Sequence, residues 1–154
     1  MPLEIRPAPL DEVRVLRHLV LRPHQRPEEI VYEHDDDADA LHLGAHVDGS
    51  LVAVSSIARE DPPVDLARRV GSDRAIDAWR IRGMATLPDH RGAGLGGELL
   101  ERCIAHARSR GGTLVWLNGR VPARRFYERH GFIASGDVFE PPNLGSHLRF
   151  SRVP

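Results

Sequence analysis

The chain contains no lysine: all 21 of its Lys+Arg residues are arginines. A coding sequence rich in G and C accounts for that bias, so it carries no functional reading. Cysteine is nearly absent too. The single thiol, Cys103, cannot close an internal disulfide and sits in no metal-ligand spacing. No stretch approaches the roughly 18 consecutive apolar residues that a membrane-spanning helix needs. Residues 1–6 do not combine a basic region with an apolar run, so no secretory signal is expected and a cytoplasmic location follows by default. Charge of one sign is also lacking. The 21 basic and 22 acidic residues give a formal net charge of -1, which excludes general attraction to nucleic acid or an anionic membrane. The nine histidines are scattered, and none stands in an HExxH pattern. His42 and His46 could share a strand face, yet no third ligand accompanies them, and no metal site is expected.

What is present is an ordinary globular composition, 41% hydrophobic and 28% charged over 154 residues. That length suits one domain, 1–154, with a real core. No internal repeat or low-complexity linker divides it. Residues 3–6 alternate as a short strand. From Leu10 to Leu21, Leu10, Val13, Leu16 (or Arg17), Val20 and Leu21 recur at helical spacing until Pro23. A polar stretch with Asp35, Asp36, Asp37 and Asp39 follows. Residues 41–47 and 51–57 then form a hairpin around Asp48-Gly49. A long connection spans 60–77, with a short helix expected over 64–70. The second half predicts a strand over 79–86, a turn over 88–92 and an amphipathic helix over 95–110. A buried strand over 113–117, a short helix over 121–130, and a final pair of strands over 132–139 and 146–153 complete it.

The most informative segment is Arg91-Gly92-Ala93-Gly94-Leu95-Gly96-Gly97, between a strand and an amphipathic helix. The first turn of a helix offers backbone N–H groups with no internal partner, and the helix dipole adds positive potential there. Glycines let the backbone approach a bulky anion and take conformations other residues avoid. Arg91 adds a charged fork for phosphate oxygens. Chemically this is a pyrophosphate cradle. Gly92, Gly94 and Gly97 also satisfy G-x-G-x-x-G, the dinucleotide fingerprint. That fold wants an acid about 20 residues further on, for a ribose. Here the next strand ends Leu117-Asn118-Gly119-Arg120, and too few residues remain for a doubly wound sheet. A small nucleotide-binding module stays open as a rival reading.

A second pattern, R/Q-x-x-G-x-G/A, is met by Arg91, Gly94 and Gly96. It is followed at a distance by Ala123-Arg124-Arg125-Phe126-Tyr127-Glu128-Arg129-His130-Gly131-Phe132. Cradle and A-x-x-F-Y-x-x-x-G-F segment, in this order, resemble the GNAT superfamily of acetyl-CoA-dependent N-acetyltransferases. The resemblance covers most of residues 79–132. It implies an α/β (α+β) fold: a mixed, mostly antiparallel central sheet of six to seven strands, flanked by about four helices, with a cleft between two splayed strands. It implies transfer of an acetyl group from acetyl-CoA to a primary amine of a small molecule or peptide. Homodimers are frequent in that family.

The resemblance also implies roles. Met84, Ala85 and Thr86 would offer free backbone groups to the pantetheine amides, as the family's splayed strand does. Backbone amides over Gly92, Ala93, Gly94, Leu95, Gly96 and Gly97, with Arg91, would hold the pyrophosphate. Asn118 would contact the pantetheine arm, or serve only as a turn former. Tyr127 is expected beside the sulfur as the acid; a phenol has a pKa about 10 against about 8.5 for a thiol. Many relatives carry a glutamate on the strand before the cradle, where this chain has Arg80 and Arg82. The base therefore stays open among His147, Glu140, Asp137, Glu60, a water relay or none. Arg80 and Arg82 share a strand face by alternation. Either they line the acceptor cleft and favour an anionic acceptor, or they bridge to acids elsewhere. The acidic cluster at Asp35–Asp39 argues instead for a cationic acceptor, unless it is a solvated loop. The missing carboxylate keeps a further alternative, an acyl-CoA-binding sensor with little turnover.

Overall fold

The computed structural model describes residues 2–70 and 76–154. Residues 71–75, late in the connection expected over 60–77, lie outside the described part. Chain order is β1 (Leu3–Pro7), α1 (Leu10–Leu21), β2 (Leu41–Val47), β3 (Ser50–Arg59), α2 (Val64–Arg69), β4 (Ala78–Thr86), α3 (Leu95–Ser109), β5 (Leu114–Arg120), α4 (Arg124–Arg129), β6 (Ile133–Phe139) and β7 (His147–Arg152). The seven strands form one sheet in the order β1-β2-β3-β4-β5-β7-β6. Every pairing is antiparallel except β4 with β5. The mixed, mostly antiparallel sheet with four α-helices is the fold class the sequence implied.

Local sequence explains the elements that matter. Helix α3 buries Leu95, Leu99, Leu100, Cys103, Ile104 and Ala107, one stripe at i, i+4 and i+5 spacing, against one face of the sheet. It begins at Gly94, whose φ of 81° is left-handed, a conformation glycine takes without steric penalty. Glu98 in the first turn and His106 and Arg108 in the last suit the helix dipole. Helix α1 packs Val13 and Leu16 on the opposite face, with Val54 and Ala85. Helix α2 adds Leu66 against Trp116 and Leu114. In β5, Leu114 to Leu117 are all buried, as a continuous apolar run between two neighbouring strands predicts.

Two boundaries near the site differ from expectation. Strand β5 continues past Leu117 to Arg120, because β7 pairs with it as far as His147. The helix expected over 121–130 opens as a 3-10 turn at Val121–Ala123, where Pro122 fits the first turn, and is α-helical only from Arg124. On α1 the alternatives Leu16 or Arg17 both hold: both residues are buried.

Candidate acyl-donor and acceptor site

The cleft exists because β4 and β5 part. They pair only at Ala78–Leu114, Trp79–Val115 and Arg80–Trp116. Beyond Arg80, β4 keeps β3 on one side and has no paired strand on the other among the described residues. A bulge sharpens the divergence. Two steps along β3, Val54 to Ser56, oppose three along β4, Ala85 to Arg82. The extra residue falls at Gly83–Met84, and Gly83 takes φ 67°. The bulge exchanges the faces of β4. Ile81 and Met84 pack in the α3-side core, whereas Ala85 joins the α1-side core. Alternation alone would have put Met84 beside Arg82 and Ala85 beside Ile81.

The resulting cleft has a volume of about 410 Å³ and is walled by β4, β5, the start of α4 and the β6–β7 hairpin. It brings together Met84, Asn118 and Tyr127 of the expected site, and Arg80, Arg82 and His147 of the open alternatives. Asn118 contributes a buried side-chain oxygen without a hydrogen-bond partner among the described residues. A buried acceptor left unpaired costs about 1–3 kcal/mol, so this atom is a ready receiver for an N–H donor. Tyr127 rests on Phe150, ring centroids 4.9 Å apart, and on Phe126 at 5.1 Å. Gly119 makes room for it: a Cβ there would lie 2.5 Å from the Tyr127 ring. Burial pushes the Tyr127 phenol up to about 12.

Thr86 closes β4, and Arg91 bonds back to it through an Nε–H donated to the Thr86 carbonyl at 3.3 Å. The cradle follows at the α3 N-terminus. Gly92 and Gly94 have φ of 82° and 81°, and an added Cβ at either would meet nothing within 4 Å. The requirement for glycine is therefore conformational, and the space above the loop is open. The first helical bond runs from Glu98 N–H to Gly94 C=O. The amides of 92–97 thus precede the helical ladder and face no backbone partner among the described turns and caps. Gly94 and Gly97 border a shallow groove between α3 and α4 that also includes Phe126 and His130. Open space and unpaired amides at the cradle, with the orphaned Asn118 oxygen in the cleft, fit an acyl-CoA.

Of the four proton acceptors held open, one lines the cleft. His147, the first residue of β7, does so, with Nδ1 2.9 Å from the Gly145 carbonyl oxygen. Glu60 is engaged with Arg80 at 2.7 Å, Glu140 accepts from Ser146 at 2.8 Å, and Asp137 is exposed on β6. Cys103 offers no nucleophile: it is fully buried, and desolvation pushes its thiol up to about 12.

The acidic run resolves into partners that the sequence did not signal. Asp35 is buried and takes two hydrogen bonds from fully buried Arg17, at 2.8 and 3.1 Å. Arg17 also donates to Ser56 at 2.8 Å, and Asp35 accepts from the Tyr32 N–H at 3.0 Å. His42 bonds Ser56 at 2.6 Å and the Asp35 carbonyl oxygen at 2.9 Å. Asp37 pairs with His34, and Asp39 with Arg59. None of these carboxylates lines the cleft, which removes the argument for a cationic acceptor. The run is therefore mixed: Asp35 is the buried centre of an ion-pair network, Asp36 and Asp37 are exposed as a solvated loop predicts, and Asp39 is half-buried.

A family model described as acetyltransferase (GNAT) family matches residues 10–132. An uncharacterized N-acetyltransferase of Bacillus subtilis (strain 168), YitI, is 30% identical over 146 residues, covering 95% of this chain and 93% of that protein. Among solved structures, ElaA of Escherichia coli superposes with a TM-score of 0.73 at 19% identity, over 98% of both chains. An acyl-CoA N-acyltransferase from Pseudomonas aeruginosa does so at 0.66 and 25% identity, over 99% of both. With a matched span covering most of the chain, a relative aligned along nearly its whole length, and a sheet that parts beside a glycine cradle, the chain belongs to the acetyltransferase (GNAT) family.

Proposed function

We propose that this protein is an N-acyltransferase that uses acetyl-CoA as donor and a primary amine of a small molecule or peptide as acceptor. The observation that carries the reading is the cleft where β4 leaves β5, flanked by the Gly92–Gly97 loop and walled by Tyr127. In this reading the loop amides and Arg91 bind the pyrophosphate. The open edge of β4 at Met84, Ala85 and Thr86, with Asn118 opposite, receives the pantetheine amides.

The reaction forms an N–C bond, breaks the C–S bond, and moves one proton from nitrogen to sulfur overall. With a phenol near 12 beside a thiol near 8.5, complete proton transfer from Tyr127 is uphill. Its O–H instead donates a hydrogen bond to the sulfur as charge develops, and stays protonated throughout. His147 or water takes the proton from the amine, and that proton passes on to the leaving thiolate, directly or through solvent. Most of the rate comes from holding amine and thioester together in a site that excludes water.

Calorimetric titration with acetyl-CoA, with NADPH as control, tests the donor. Saturable binding of acetyl-CoA alone is expected; a preference for NADPH overturns the reading. A second reading is an acyl-CoA-binding sensor with little turnover. It rests on the cleft lining, which holds no carboxylate among the described residues. Binding of acetyl-CoA without turnover on any amine would favour it.

A further inference from the structure

We propose that the acceptor amine carries a carboxylate, and that Arg82 binds it at the point where β4 and β5 part. The inference rests on the transferase reading and specifies its substrate class.

The argument begins with charge. The cleft is lined by Arg22, Arg80, Arg82, Arg120 and His147, and by no aspartate or glutamate among the described residues. The two strand arginines are not equivalent. Arg80 is neutralised by Glu60, 2.7 Å away, and lies over the Trp116 ring. Arg82 has no hydrogen-bond or ion-pair partner among the described residues. Its guanidinium stacks 4.0 Å from the centroid of the Tyr32 ring. Burial and repulsion from Arg80 lower its pKa, against a smaller opposing pull from Tyr32 and from Glu60, a carboxylate already paired with Arg80. A carboxylate entering the cleft would supply a counter-ion through a planar fork that arginine matches.

The position is also rigid. Tyr32 is sandwiched between Arg82 and Arg17, the latter 4.2 Å from the ring centroid. Arg17 is locked by Asp35 and Ser56, and Asp35 in turn holds the Tyr32 N–H. Gly83 permits this close approach: a Cβ there would lie 2.7 Å from Arg17 Nε and 3.1 Å from the Tyr32 ring. The buried network beneath the cleft thus builds a platform whose upper surface is a guanidinium stacked on Tyr32 and hydrogen-bonded to no carboxylate among the described residues. Arg82 and Asn118 each lie two residues past the last β4–β5 pair. An acid anchored at Arg82 is therefore held at the mouth of the donor channel. The same cations repel polyamines and lysine-like acceptors, and they lower the pKa of a bound ammonium, which raises the fraction able to attack.

The test compares kcat/KM for a panel of amino acids and their carboxamides, each pair differing only in the carboxylate, in wild type, Arg82→Gln and Arg82→Lys. The wild type is expected to prefer acids by about 10- to 100-fold, the range for a charge-assisted pair. Arg82→Gln should bring that ratio close to one, and Arg82→Lys should keep part of it. Equal acetyl-CoA Kd in all three proteins shows that the fold and donor site are intact. Amides used as well as acids, a ratio unchanged by Arg82→Gln, or no carboxylated amine accepted would each overturn the proposal. Failure of acetyl-CoA to bind would instead overturn the transferase reading. Calorimetry of the same acids against wild type and Arg82→Gln, without donor, then decides the carboxylate site separately.

Discussion

The two halves of the cleft are built by different means. The half proposed for the donor is backbone: a strand edge left open by a bulge and a loop whose glycines at 92 and 94 sit at positive φ with nothing above them. The acceptor half is side chains: Arg17 from α1, Tyr32 and Asp35 from the following loop, Ser56 from β3 and Arg82 from β4, joined by hydrogen bonds and stacked planes. A donor shared by many reactions needs a fixed anion cradle, which main-chain amides supply whatever the side chains are. An acceptor differs from one enzyme to the next, and side chains are what can differ. The halves should therefore fail differently when altered.

The largest effect on stability is expected at Asp35. Asp35→Ala leaves Arg17 buried and unpaired, a loss of about 3–5 kcal/mol. Chemical denaturation should show it, while acetyl-CoA affinity in the cold, where the variant stays folded, should change little. The pH dependence follows the same carboxylate. Burial works to raise its pKa, but the bonds and charge of Arg17 outweigh that and hold it below the usual value of 3.8. A depressed pKa gives stability that is complete above the unfolded value and fades as pH falls through the folded one. Wild type should thus lose stability below about pH 4, and Asp35→Asn should lack that part of the acid limb.

Changes on the donor side should reverse the pattern. Tyr127→Phe removes one hydroxyl that bonds to nothing else among the described residues. It is expected to lower kcat by about 10²–10³-fold with unchanged melting temperature and acetyl-CoA Kd. Gly94→Val forces a β-branched residue to φ 81° and should weaken acetyl-CoA binding by about 10- to 100-fold. If Gly94→Val binds normally, the cradle is not where the donor sits.

This contrast also explains what could be read in advance. The glycine loop proposed to hold the donor was legible because it depends on local conformation: glycines at fixed spacing before a helix, and Phe126-Tyr127 at a set distance after it. The extents of β4 and α3 came through in the same way, whereas β5 runs three residues past its apolar run, to Arg120. The acceptor half was not legible. Asp35 meets Arg17 only after a helix and a loop bring residues 18 apart together, and no periodicity marks that. Arg17 stood on an apolar face, where a charged residue signals a buried partner without saying which. The bulge at Gly83 was equally silent in the sequence, and it puts Met84 on the face opposite to the one that simple alternation would give. Arg80 and Arg82 looked alike in sequence; only the position of Glu60 separates the paired arginine from the free one.

The smallest effect sharpens the comparison most, because it lies two residues from the largest. Asp37 belongs to the same acidic run as Asp35, and it too has a basic partner, the His34 ring at 2.9 Å. Its side chain is 43% exposed, against 5% for Asp35. Water already solvates the Asp37 charge, and releasing His34 leaves nothing stranded. Asp37→Ala is expected to change stability by less than about 1 kcal/mol, and added salt should shrink even that. Measured side by side under the same denaturant, the two substitutions compare a buried carboxylate held by Arg17 and the Tyr32 N–H with an exposed one that contacts only His34. If Asp37→Ala cost as much as Asp35→Ala, the run would act as one electrostatic unit, and the platform beneath Arg82 would not be the separate, rigid element that the acceptor half requires.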